Sequence, residues 1–483
     1  MSNRDLQIKY RSGFLGFCIK MNSLSIFGTS SDAGKSTLSF AITYLLYHRG
    51  IKVAPFKAQN VSNNSQVTDE GGEIAIPQFF AAEAIGLKTS PDMNPILLKS
   101  GGKSMAHVVL NGKSVASKDV KSYYNDLDSL KPHVKKAFEN LLTKYECVIA
   151  EGAGSPVELN LMEKDLSNIY VAEKFNTKII LVADIERGGV FASIYGVYNL
   201  LPKHLQKNVI GVIVNKFRGD ISLFDDGVKI IEEDFKIPVL GVVPFKAFNF
   251  GFEDTQSLIN YSQDNSRAII KVGVIKLPHM SNFTDFEPLV NDSEIELLFL
   301  SNPTELSLCE VIIVPGTKRV VDDLAWLRER GFEEVLQTKE KPIIAICGGY
   351  EMMFENILDP YQIESDELCV KGIGRFKGDV RFEVEKIVQK GSYNLFGVML
   401  EGYEIHNGVT KKRAKNKKNV YGTFIHGIFD NDEFRRRLFT LINPLYKGYN
   451  FKEFKSQSIE EFTRHIEQNI KLNTILKAID ENI

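Results

Sequence analysis

The stretch LSIFGTSSDAGKST, residues 24–37, decides how the first half of the chain folds. Its first five residues are apolar and β-rich, a loop of glycine and small polar residues follows, and a helix-forming run starts near Lys35. A strand–loop–helix unit of this kind turns backbone N–H groups towards one point, where phosphate oxygens bind. Lys35 can reach the outer phosphates, and the Ser36 hydroxyl can ligate Mg²⁺. The alternative, a Gly/Ser turn with a surface lysine, does not account for the strand, the loop, the sequence GKST (34–37) and the helix together.

The loop predicts a nucleotide site made of neighbouring residues. We expect ATP to bind at Gly28, Thr29, Ser31, Asp32, Ala33, Gly34, Lys35, Ser36 and Thr37. Five residues separate the first and second glycines, whereas the common phosphate-binding loop has four. In this spacing the loop resembles that of ATP-dependent, carboxylate-activating enzymes of the dethiobiotin synthetase type.

Short apolar runs without alternation recur through the first half and are separated by helical segments. Runs of this kind predict strands buried on both faces, as in a parallel sheet covered by helices. The predicted class is therefore α/β. We expect a helix at SFAITYLLYHRG (39–50) and strands at LSIFG (24–28), KVAPF (52–56), YECVIAEG (145–152), TKIILVAD (177–184), NVIGVIVN (208–215) and IPVLGVVP (237–244).

The same pattern stops in a polar segment that begins near residue 251 and restarts at residue 271. The later strand candidates predict a second α/β domain; they are KVGVIKL (271–277), IELLFL (295–300), CEVIIVPG (309–316), KPIIAICGG (341–349) and VYGTFIHGIF (420–429). Along the chain we predict an N-terminal extension at residues 1–20, a nucleotide-binding domain at 21–255, a linker at 256–268 and a second domain at 269–483. The extension is either a loose segment or lies ahead of a natural start at Met21.

The amino-acid composition and net charge indicate an ordinary globular protein. Hydrophobic residues make up 43% and charged residues 25% of the 483 residues, and the net charge of -2 gives no reason to expect nucleic acid or an anionic membrane as partner. The five cysteines lack CxxC spacing, which suits a reducing cytoplasm. We expect a cytoplasmic protein with small-molecule substrates, and the sequence leaves assembly into a homo-oligomer open.

Polar residues follow three strands of the first half, at the edge where parallel sheets place their ligands. Glu151 ends one strand, and its carboxylate can hold Mg²⁺ or orient an activated carboxylate; otherwise it is a capping or surface glutamate. Asp184 and Glu186, with Arg187 behind them, suit a phosphate or a polyacid substrate. Asn215 resembles the asparagine that reads adenine in the dethiobiotin synthetase group, with a turn asparagine as the alternative.

The second half offers a candidate nucleophile. The stretch IAICGGYEMM, residues 344–353, indicates a strand, a sharp turn at Cys347 and a helix. The sulfur would lie near a helix N-terminus, whose partial positive charge favours the thiolate. Gly348 and Gly349 permit a tight turn and close approach of a substrate. On its own, a buried core cysteine is the simpler interpretation, because free cysteine is among the most buried residue types.

A nucleophilic cysteine also needs a base. His426, in GTFIHGIF, ends another strand candidate, and the loop VPGTK (314–318) offers backbone N–H groups for an oxyanion hole. Alone, His426 would be interpreted as a structural histidine. Together with Cys347, these features resemble the class I glutamine amidotransferase domain. The resemblance implies a flavodoxin-like α/β fold, attack of Cys347 on the glutamine amide, and His426 as the proton shuttle.

The same resemblance implies an oxyanion and glutamine site at Gly316, Thr317, Gly348 and Glu351. Most members of the class carry a glutamate two residues after the histidine, and that position is Ile428 here. The branch that acts on corrinoids shares this departure. We therefore expect a Cys347–His426 pair without an assigned orienting acid. For His406 we expect a structural or substrate-edge role.

Longer stretches between residues 24 and 430 resemble the cobyric acid synthase family: PFKAQNVSNNS (55–65), EGGEIAIPQ (70–78), PDMNPILLKS (91–100), EGAGSPVELNL (151–161), DIERGGVFASIYG (184–196), NKFRGD (215–220), GYEIHNG (402–408) and GTFIHGIFD (422–430). The resemblance implies amidation of the b, d, e and g carboxylates of adenosylcobyrinic acid a,c-diamide, with ATP, Mg²⁺ and glutamine, to give adenosylcobyric acid in cobalamin biosynthesis. Each carboxylate would be activated as an acyl phosphate. The expected corrinoid contacts are Lys57, Gln59, Asn60, Asn63, Asn64, Asp184 and Arg187.

Three other interpretations stay open at this point. Cobyrinic acid a,c-diamide synthase has the same two-domain organisation, although the QNVSNNS and MNPILLK stretches disfavour this interpretation. A ParA-like ATP switch would use the phosphate loop for dimerisation and would have no use for a glutaminase half. A chain with an inactive glutaminase half would use free ammonia instead of glutamine.

Overall fold

The structure of the protein is a computed structural model that describes residues 21–100, 105–119, 122–123, 126–248, 250, 266–338, 341–411 and 419–480. The predicted extension at residues 1–20 and most of the predicted linker at 256–268 lie outside these ranges. Within them, no helix is both long and apolar enough to cross a membrane.

The first half contains twelve strands in the described residues: β1 (Leu24–Gly28), β2 (Val53–Phe56), β3 (Gln59–Val61), β4 (Ser65–Val67), β5 (Glu73–Ala75), β6 (Ile96–Ser100), β7 (Met105–Leu110), β8 (Lys113–Asp119), β9 (Cys147–Glu151), β10 (Lys178–Asp184), β11 (Val209–Phe217) and β12 (Val239–Pro244). Six of them form a parallel main sheet in the order β12-β11-β10-β1-β9-β2. The α-helices of this half are α1 (Lys35–His48), α2 (Ile76–Ala84), α3 (Lys131–Lys144), α4 (Ile169–Phe175), α5 (Val190–Leu200), α6 (Lys203–Gln206) and α7 (Asp225–Lys229).

All six strands predicted for this half are present, and they form the main sheet. Its residues alternate between two cores: Ile26 packs on the face covered by α1, and Phe27 packs on the opposite face. Burial on both faces explains why these strands have unbroken apolar sequences. The smaller sheet β3-β6-β7-β8 and the hairpin β4–β5 were not predicted.

The strands described in the second half are β13 (Ile270–Ile275), β14 (Ile295–Leu300), β15 (Val311–Val314), β16 (Ile343–Ile346), β17 (Phe354–Leu358), β18 (Cys369–Lys371), β19 (Phe376–Leu395), β20 (Val398–Thr410) and β21 (Val420–Thr423). They form a parallel sheet in the order β14-β13-β15-β16-β21 and a mixed sheet in the order β18-β17-β19-β20. The α-helices of this half are α8 (Glu287–Val290), α9 (Val320–Glu329), α10 (Phe332–Gln337), α11 (Gly348–Met352), α12 (Asp432–Thr440), α13 (Phe451–Asn469) and α14 (Leu472–Ile479). The five strands predicted here form the parallel sheet.

The long hairpin β19–β20 was not predicted, and it connects the two halves. Phe396 and Gly397 form its two-residue turn, and both have positive φ, as a turn between twisted antiparallel strands requires. In its middle the hairpin packs on β4, where Tyr403 and Ile405 cover Val67. A register shift in β19 between Phe382 and Ile387 interrupts the pairing beside this contact.

The last two helices lie on the first half although they follow the second half in the chain. Phe462 of α13 stacks on Phe248 with ring centroids 4.3 Å apart, and Ile475 of α14 is fully buried in the core that covers α1. The predicted division at 269–483 therefore describes the order along the chain, whereas residues 451–479 pack with the nucleotide-binding domain. Their apolar faces complete one side of the main sheet, which its own helices leave partly uncovered.

Candidate active site

The loop between β1 and α1 is held in shape from behind. Asp32 and Gly34 both have positive φ, of 56° and 98°, and Gly34 packs so closely on Asn215 that a Cβ there would lie 2.1 Å from its amide nitrogen. That nitrogen donates to the Ala33 carbonyl over 2.9 Å. Lys35 is buried and donates to the Ser30 carbonyl, 3.0 Å away. The structure thus places Asn215 against the loop, with its amide nitrogen already used there.

Glu151 joins three segments at the end of β9. This buried carboxylate accepts hydrogen bonds from the Ser36 hydroxyl (2.7 Å), the Lys57 ammonium (2.8 Å) and the Gln78 amide (3.0 Å). The predicted pair Ser36 and Glu151 is therefore together, and both offer the hard oxygen atoms that Mg²⁺ prefers. Among the residues that the structure covers, no group of three His, Cys, Asp or Glu side chains could hold a metal ion.

Asp184 and Arg187 form the rim of the same site. Asp184 is buried at the end of β10 and lies 3.0 Å from Lys216 and 3.6 Å from Arg187. The guanidinium of Arg187 also bonds Asp32 of the phosphate loop, 2.9 Å away, in a contact that is open to solvent. Arg187, predicted to contact the substrate, and Asp32, predicted to bind the nucleotide, therefore lie in contact beside the loop.

The predicted substrate run splits between different parts of the molecule. Lys57 is bound to Glu151, whereas the Gln59 side-chain oxygen accepts from the Tyr123 hydroxyl over 2.9 Å. Asn60 is buried, and its side-chain oxygen accepts from the backbone of the next residue. Asn63 is half-buried, and Asn64 is buried against the second half of the chain. The structure does not gather these five side chains on one surface.

The cysteine of the second half lies in the turn that its sequence predicts. Cys347 follows β16 and precedes α11, with φ 50° and ψ -114°, a combination that non-glycine residues rarely adopt. The turn packs tightly on the VPGTK loop, because a Cβ on Gly348 would lie 2.7 Å from Thr317 and one on Gly349 would lie 2.3 Å from the Val314 carbonyl. A Cβ on Gly316 would lie 3.2 Å from the His426 ring. The predicted oxyanion residues therefore border both Cys347 and His426.

An acid that the sequence analysis missed orients His426. The Nδ1 atom of His426 lies 2.7 Å from the Asp285 carboxylate, and both side chains are buried. The same carboxylate accepts from the backbone of Gly427 over 2.8 Å. Burial alone would lower the pKa of His426, but Asp285 and then Cys347 outweigh it and raise this pKa to about 10. Ile428, where the usual glutamate was expected, is instead a buried core residue.

Glu351 lies beside the cysteine on α11. Its carboxyl group is buried and accepts from the backbone N–H of Gly408 over 3.1 Å. Burial, with the neighbouring Cys347 and Glu364, raises the pKa of Glu351 well above its usual range and so favours its neutral form. His406 stacks on Phe424, and its ring bonds the Gly408 carbonyl, which agrees with the structural role expected for it.

A buried ionic cluster joins the two halves next to this centre. Glu73 of β5 pairs with Lys99 of its own half and with Lys386 of the hairpin, 2.7 Å away. Ser65 bonds both Glu73 and Lys99. Although burial opposes ionisation, Lys386 and Lys99 hold the pKa of Glu73 well below its usual range. An outer pair between Lys390 and Asp69, 2.7 Å apart, extends the same contact.

Each half of the chain matches a known protein family. Residues 24–250 match the model of the CobQ/CobB/MinD/ParA nucleotide binding domain, and residues 271–434 match that of the CobB/CobQ-like glutamine amidotransferase domain. The chain is 52% identical over 464 residues to the cobyric acid synthase of Acinetobacter baylyi, with 95% of this chain and 100% of the relative covered. The chain belongs to the cobyric acid synthase family.

Other members of the cobyric acid synthase family agree over similar lengths. The protein of Thermodesulfovibrio yellowstonii is 38% identical, covering 94% of this chain and 98% of its own. That of Clostridium tetani is 36% identical, covering 95% and 99%. As a family member with both domains, the chain is an ATP-dependent amidoligase that uses glutamine, and its nucleotide-binding domain supports ATP as a substrate.

Proposed function

We propose that this member of the cobyric acid synthase family amidates the b, d, e and g carboxylates of adenosylcobyrinic acid a,c-diamide, using ATP and ammonia released from glutamine. The single observation that carries the proposal is the pairing of two reactive centres in one chain. One centre joins Cys347, His426 and Asp285, and the other joins the phosphate loop to Glu151. The corrinoid substrate is inferred from the name of the relatives, cobyric acid synthase.

A short segment of the first half contacts both the second half and the nucleotide centre, which supports the transfer of ammonia between the halves. Glu73 bonds Lys386 of the second half, and Gln78 bonds Glu151 beside the phosphate loop. Because these two residues are five positions apart, their Cα atoms lie within roughly 18 Å of each other even if the chain between them is extended. The contact between the halves at Glu73 therefore lies close to the nucleotide centre, as transfer of ammonia across that contact requires.

In the glutaminase centre, Cys347 is the nucleophile. Its sulfur attacks the side-chain amide carbon of glutamine, and backbone N–H groups of the Gly316–Thr317 and Gly348 segments stabilise the oxyanion. His426 gives its proton to the departing nitrogen, which leaves as ammonia, and water then hydrolyses the thioester to glutamate. Asp285 holds the imidazole ring and favours its charged form. The neutral carboxyl group of Glu351 can serve where a glutamine side chain would contact the substrate.

In the nucleotide centre, a substrate carboxylate oxygen attacks the γ-phosphorus of ATP, forming an acyl phosphate and releasing ADP. Ammonia then attacks the acyl carbon, and phosphate leaves as the amide forms. The backbone of residues 28–34, together with Lys35, Ser36 and Thr37, is suited to hold the phosphates. Ser36 and Glu151 would hold Mg²⁺, which neutralises phosphate charge in such sites. Lys57 and Ser36 donate to the same carboxylate oxygen of Glu151. Glu151 would therefore bind Lys57 and the ion together.

The corrinoid is expected at the rim formed by Lys57, Asp184 and Arg187, next to the phosphate loop. Gln59, Asn60 and Asn63 follow Lys57 in the chain and stay candidates for contacts with carboxylates and amides of the substrate. One site that processes four carboxylates must let the substrate rebind or turn, and short polar side chains suit that task because they read both groups.

Product masses test the assignment. The purified chain is incubated with ATP, Mg²⁺ and glutamine, and with either cobyrinic acid or its a,c-diamide. We expect four successive amidations of the a,c-diamide. Two amidations of cobyrinic acid without reaction of the diamide would favour cobyrinic acid a,c-diamide synthase and would overturn the proposal. ATP hydrolysis without any amidation would favour a switch of the ParA type.

The nitrogen donor is tested separately. Replacing glutamine with ammonium distinguishes a working glutaminase from a half that uses free ammonia. We expect Cys347→Ala to abolish glutamine-dependent synthesis and to leave ammonium-dependent synthesis largely intact. Equal glutamine use by the parent and the variant would remove Cys347 from the mechanism.

A further inference from the structure

A residue of the nucleotide-binding half contacts the loop that carries the glutaminase acid. The side-chain oxygen of Asn64 accepts a hydrogen bond from the backbone N–H of Asn282 over 2.7 Å, and both residues are buried. Asn282 has φ 59° and ψ 53° and directly precedes the 3-10 turn Phe283–Phe286, which contains Asp285. A contact at this position fixes where that turn starts, and with it the placement of the carboxylate that holds His426.

Asn282 also touches the catalytic histidine itself. Its amide nitrogen lies 3.0 Å from Nε2 of His426, the ring nitrogen that faces away from Asp285. In the parts of the chain that the structure describes, the side-chain oxygen of Asn282 is buried without a hydrogen-bond partner. Because the two ends of an amide are nearly equal in shape, the amide can turn and present that oxygen to a protonated Nε2. Either orientation restrains the nitrogen that must exchange a proton with Cys347.

The segment that carries Asn64 is anchored on both sides. The next residue, Ser65, bonds Glu73, and Glu73 is paired with Lys386 of the second half. Further along the same segment, Gln78 bonds Glu151 beside the phosphate loop. The backbone from Asn64 to Gln78 therefore runs from the glutaminase centre to the nucleotide centre.

We propose that Asn64 is a positioning residue for the glutaminase reaction, supplied by the nucleotide-binding half. It holds Asn282 against His426 and sets the ring for proton transfer, so that glutamine is hydrolysed efficiently only while the two halves are docked. The inference rests on the proposed function, and it moves Asn64 from the substrate surface, where the sequence pattern suggested it, to the neighbouring reaction centre.

The test measures glutamine hydrolysis and ammonium-dependent synthesis on the full chain. Asn64→Ala is expected to lower glutaminase kcat by roughly 10- to 100-fold, because small displacements of a catalytic group have effects of this size. We expect the KM for glutamine and the ammonium-dependent rate to change by less than about twofold, because the variant leaves both binding sites in place. Asn64→Asp keeps the accepting oxygen and is expected to restore most of the lost kcat.

A second readout reports on the histidine. If the Asn282 amide oxygen supports the charged imidazole, losing it lowers the pKa of His426, and the alkaline limb of the glutaminase pH profile moves to lower pH in Asn64→Ala. A bond that only holds the halves together would not move this limb. Asn356→Ala is the matched control, because Asn356 is a half-buried asparagine of the second half whose side chain bonds Asp379 over 2.8 Å, away from the glutaminase centre. We expect it to behave as the parent.

Several results would overturn the inference. The first is an unchanged glutaminase kcat in Asn64→Ala. The second is an increase in kcat, which would make the Asn282 contact inhibitory. The third is a parallel loss of ammonium-dependent synthesis, which would return Asn64 to the corrinoid site. Glutamine hydrolysis is measured without corrinoid, so these outcomes do not depend on which carboxylates are amidated. A parent chain without glutaminase activity would instead remove the proposed function as well.

Discussion

The two proposed reactive centres of this molecule are built in opposite ways. The nucleotide centre takes its loop from ten consecutive residues, 28–37, and its rim is open to solvent at Asp32 and Arg187. The glutaminase centre is buried, and its residues come from widely separated segments, with Cys347, His426 and Asp285 meeting only in the folded chain. It also touches the other half through Asn282. A continuous motif carries its own geometry, whereas a centre assembled by folding depends on the contacts that hold its segments together.

The largest expected effect tests this dependence at Asp285. Asp285→Asn is expected to lower glutaminase kcat by roughly 10³- to 10⁴-fold, as loss of the acid that orients a catalytic histidine does in other triads. Because Asp285 is the main group that raises the pKa of His426 to about 10, the alkaline limb of the pH profile should also move to lower pH. Ammonium-dependent synthesis should stay within about twofold of the parent, because the nucleotide centre is untouched.

The matched control for this substitution is Asp292→Asn. Asp292 is a buried aspartate of the same half and bonds the Tyr446 hydroxyl over 2.6 Å. We expect this variant to retain parental glutaminase kcat. If Asp285→Asn also kept parental kcat, His426 would have to work without an orienting acid, as the sequence alone suggested.

The second prediction concerns the continuous site. Lys35→Met should lower synthesis by roughly 10²- to 10³-fold with either nitrogen donor, because Lys35 is the loop cation placed to stabilise the transferred phosphoryl group. Glutamine hydrolysis measured without corrinoid should persist. The opposite pattern of losses in Cys347→Ala and Lys35→Met would establish two separable reactions. Loss of both activities in Lys35→Met would mean that the loop also supports the glutaminase centre.

The difference between the centres also explains what the sequence could predict. The loop 28–37 and the turn at Cys347 are each contiguous, so residue order alone indicates their geometry. Asp285 lies 141 residues before His426 with no spacing pattern between them, and only the folded chain brings them together. Asn64 was assigned to the substrate because an asparagine-rich run has the same composition whether it faces a ligand or another domain.

The fold shows the same limits. The strands of both parallel sheets were predicted, because burial on both faces leaves an unbroken apolar run. The hairpin β19–β20 was missed, because many residues of β19 are exposed and its sequence, FKGDVRFEVEKIVQKGSYNL, carries charges throughout. The apolar faces of α13 and α14 indicate burial but not which of the two sheets they cover. Packing partners are long-range information that local patterns do not contain.

The third prediction tests the ionic cluster between the halves. Lys99→Met leaves the buried carboxylate of Glu73 with Lys386 and Ser65 as its remaining partners, and should cost about 2 kcal/mol of stability. Thermal unfolding should show a lower midpoint, with a transition that reports on both halves. Lys229→Met is the control, because Lys229 forms an exposed pair with Asp226, and its midpoint should match the parent. An unchanged midpoint in Lys99→Met would mean that Lys386 and the nearby Lys318 compensate the charge of Glu73 without Lys99.

The smallest effect is expected at Glu351, which lies inside the assembled centre. Glu351→Gln should keep glutaminase kcat/KM within about twofold at neutral pH, because a neutral carboxyl group and an amide have nearly the same shape and can both donate a hydrogen bond. The usual pKa of this group is 4.5, and the folded value lies well above it. The parent therefore loses stability as the pH rises past 4.5, whereas the glutamine variant does not.

The stability advantage of Glu351→Gln should accordingly grow from acidic to neutral pH, as measured by thermal unfolding at each pH. Glu364→Gln is a useful partner variant, because burial raises the pKa of Glu364 to about 8 and the same sign applies, without a contact to Cys347. If Glu351→Gln instead lost more than about tenfold in kcat/KM, an ionised carboxylate would be required beside the cysteine. The buried centre would then contain a second functional charge, and its dependence on the surrounding fold would be greater than Asp285 alone implies.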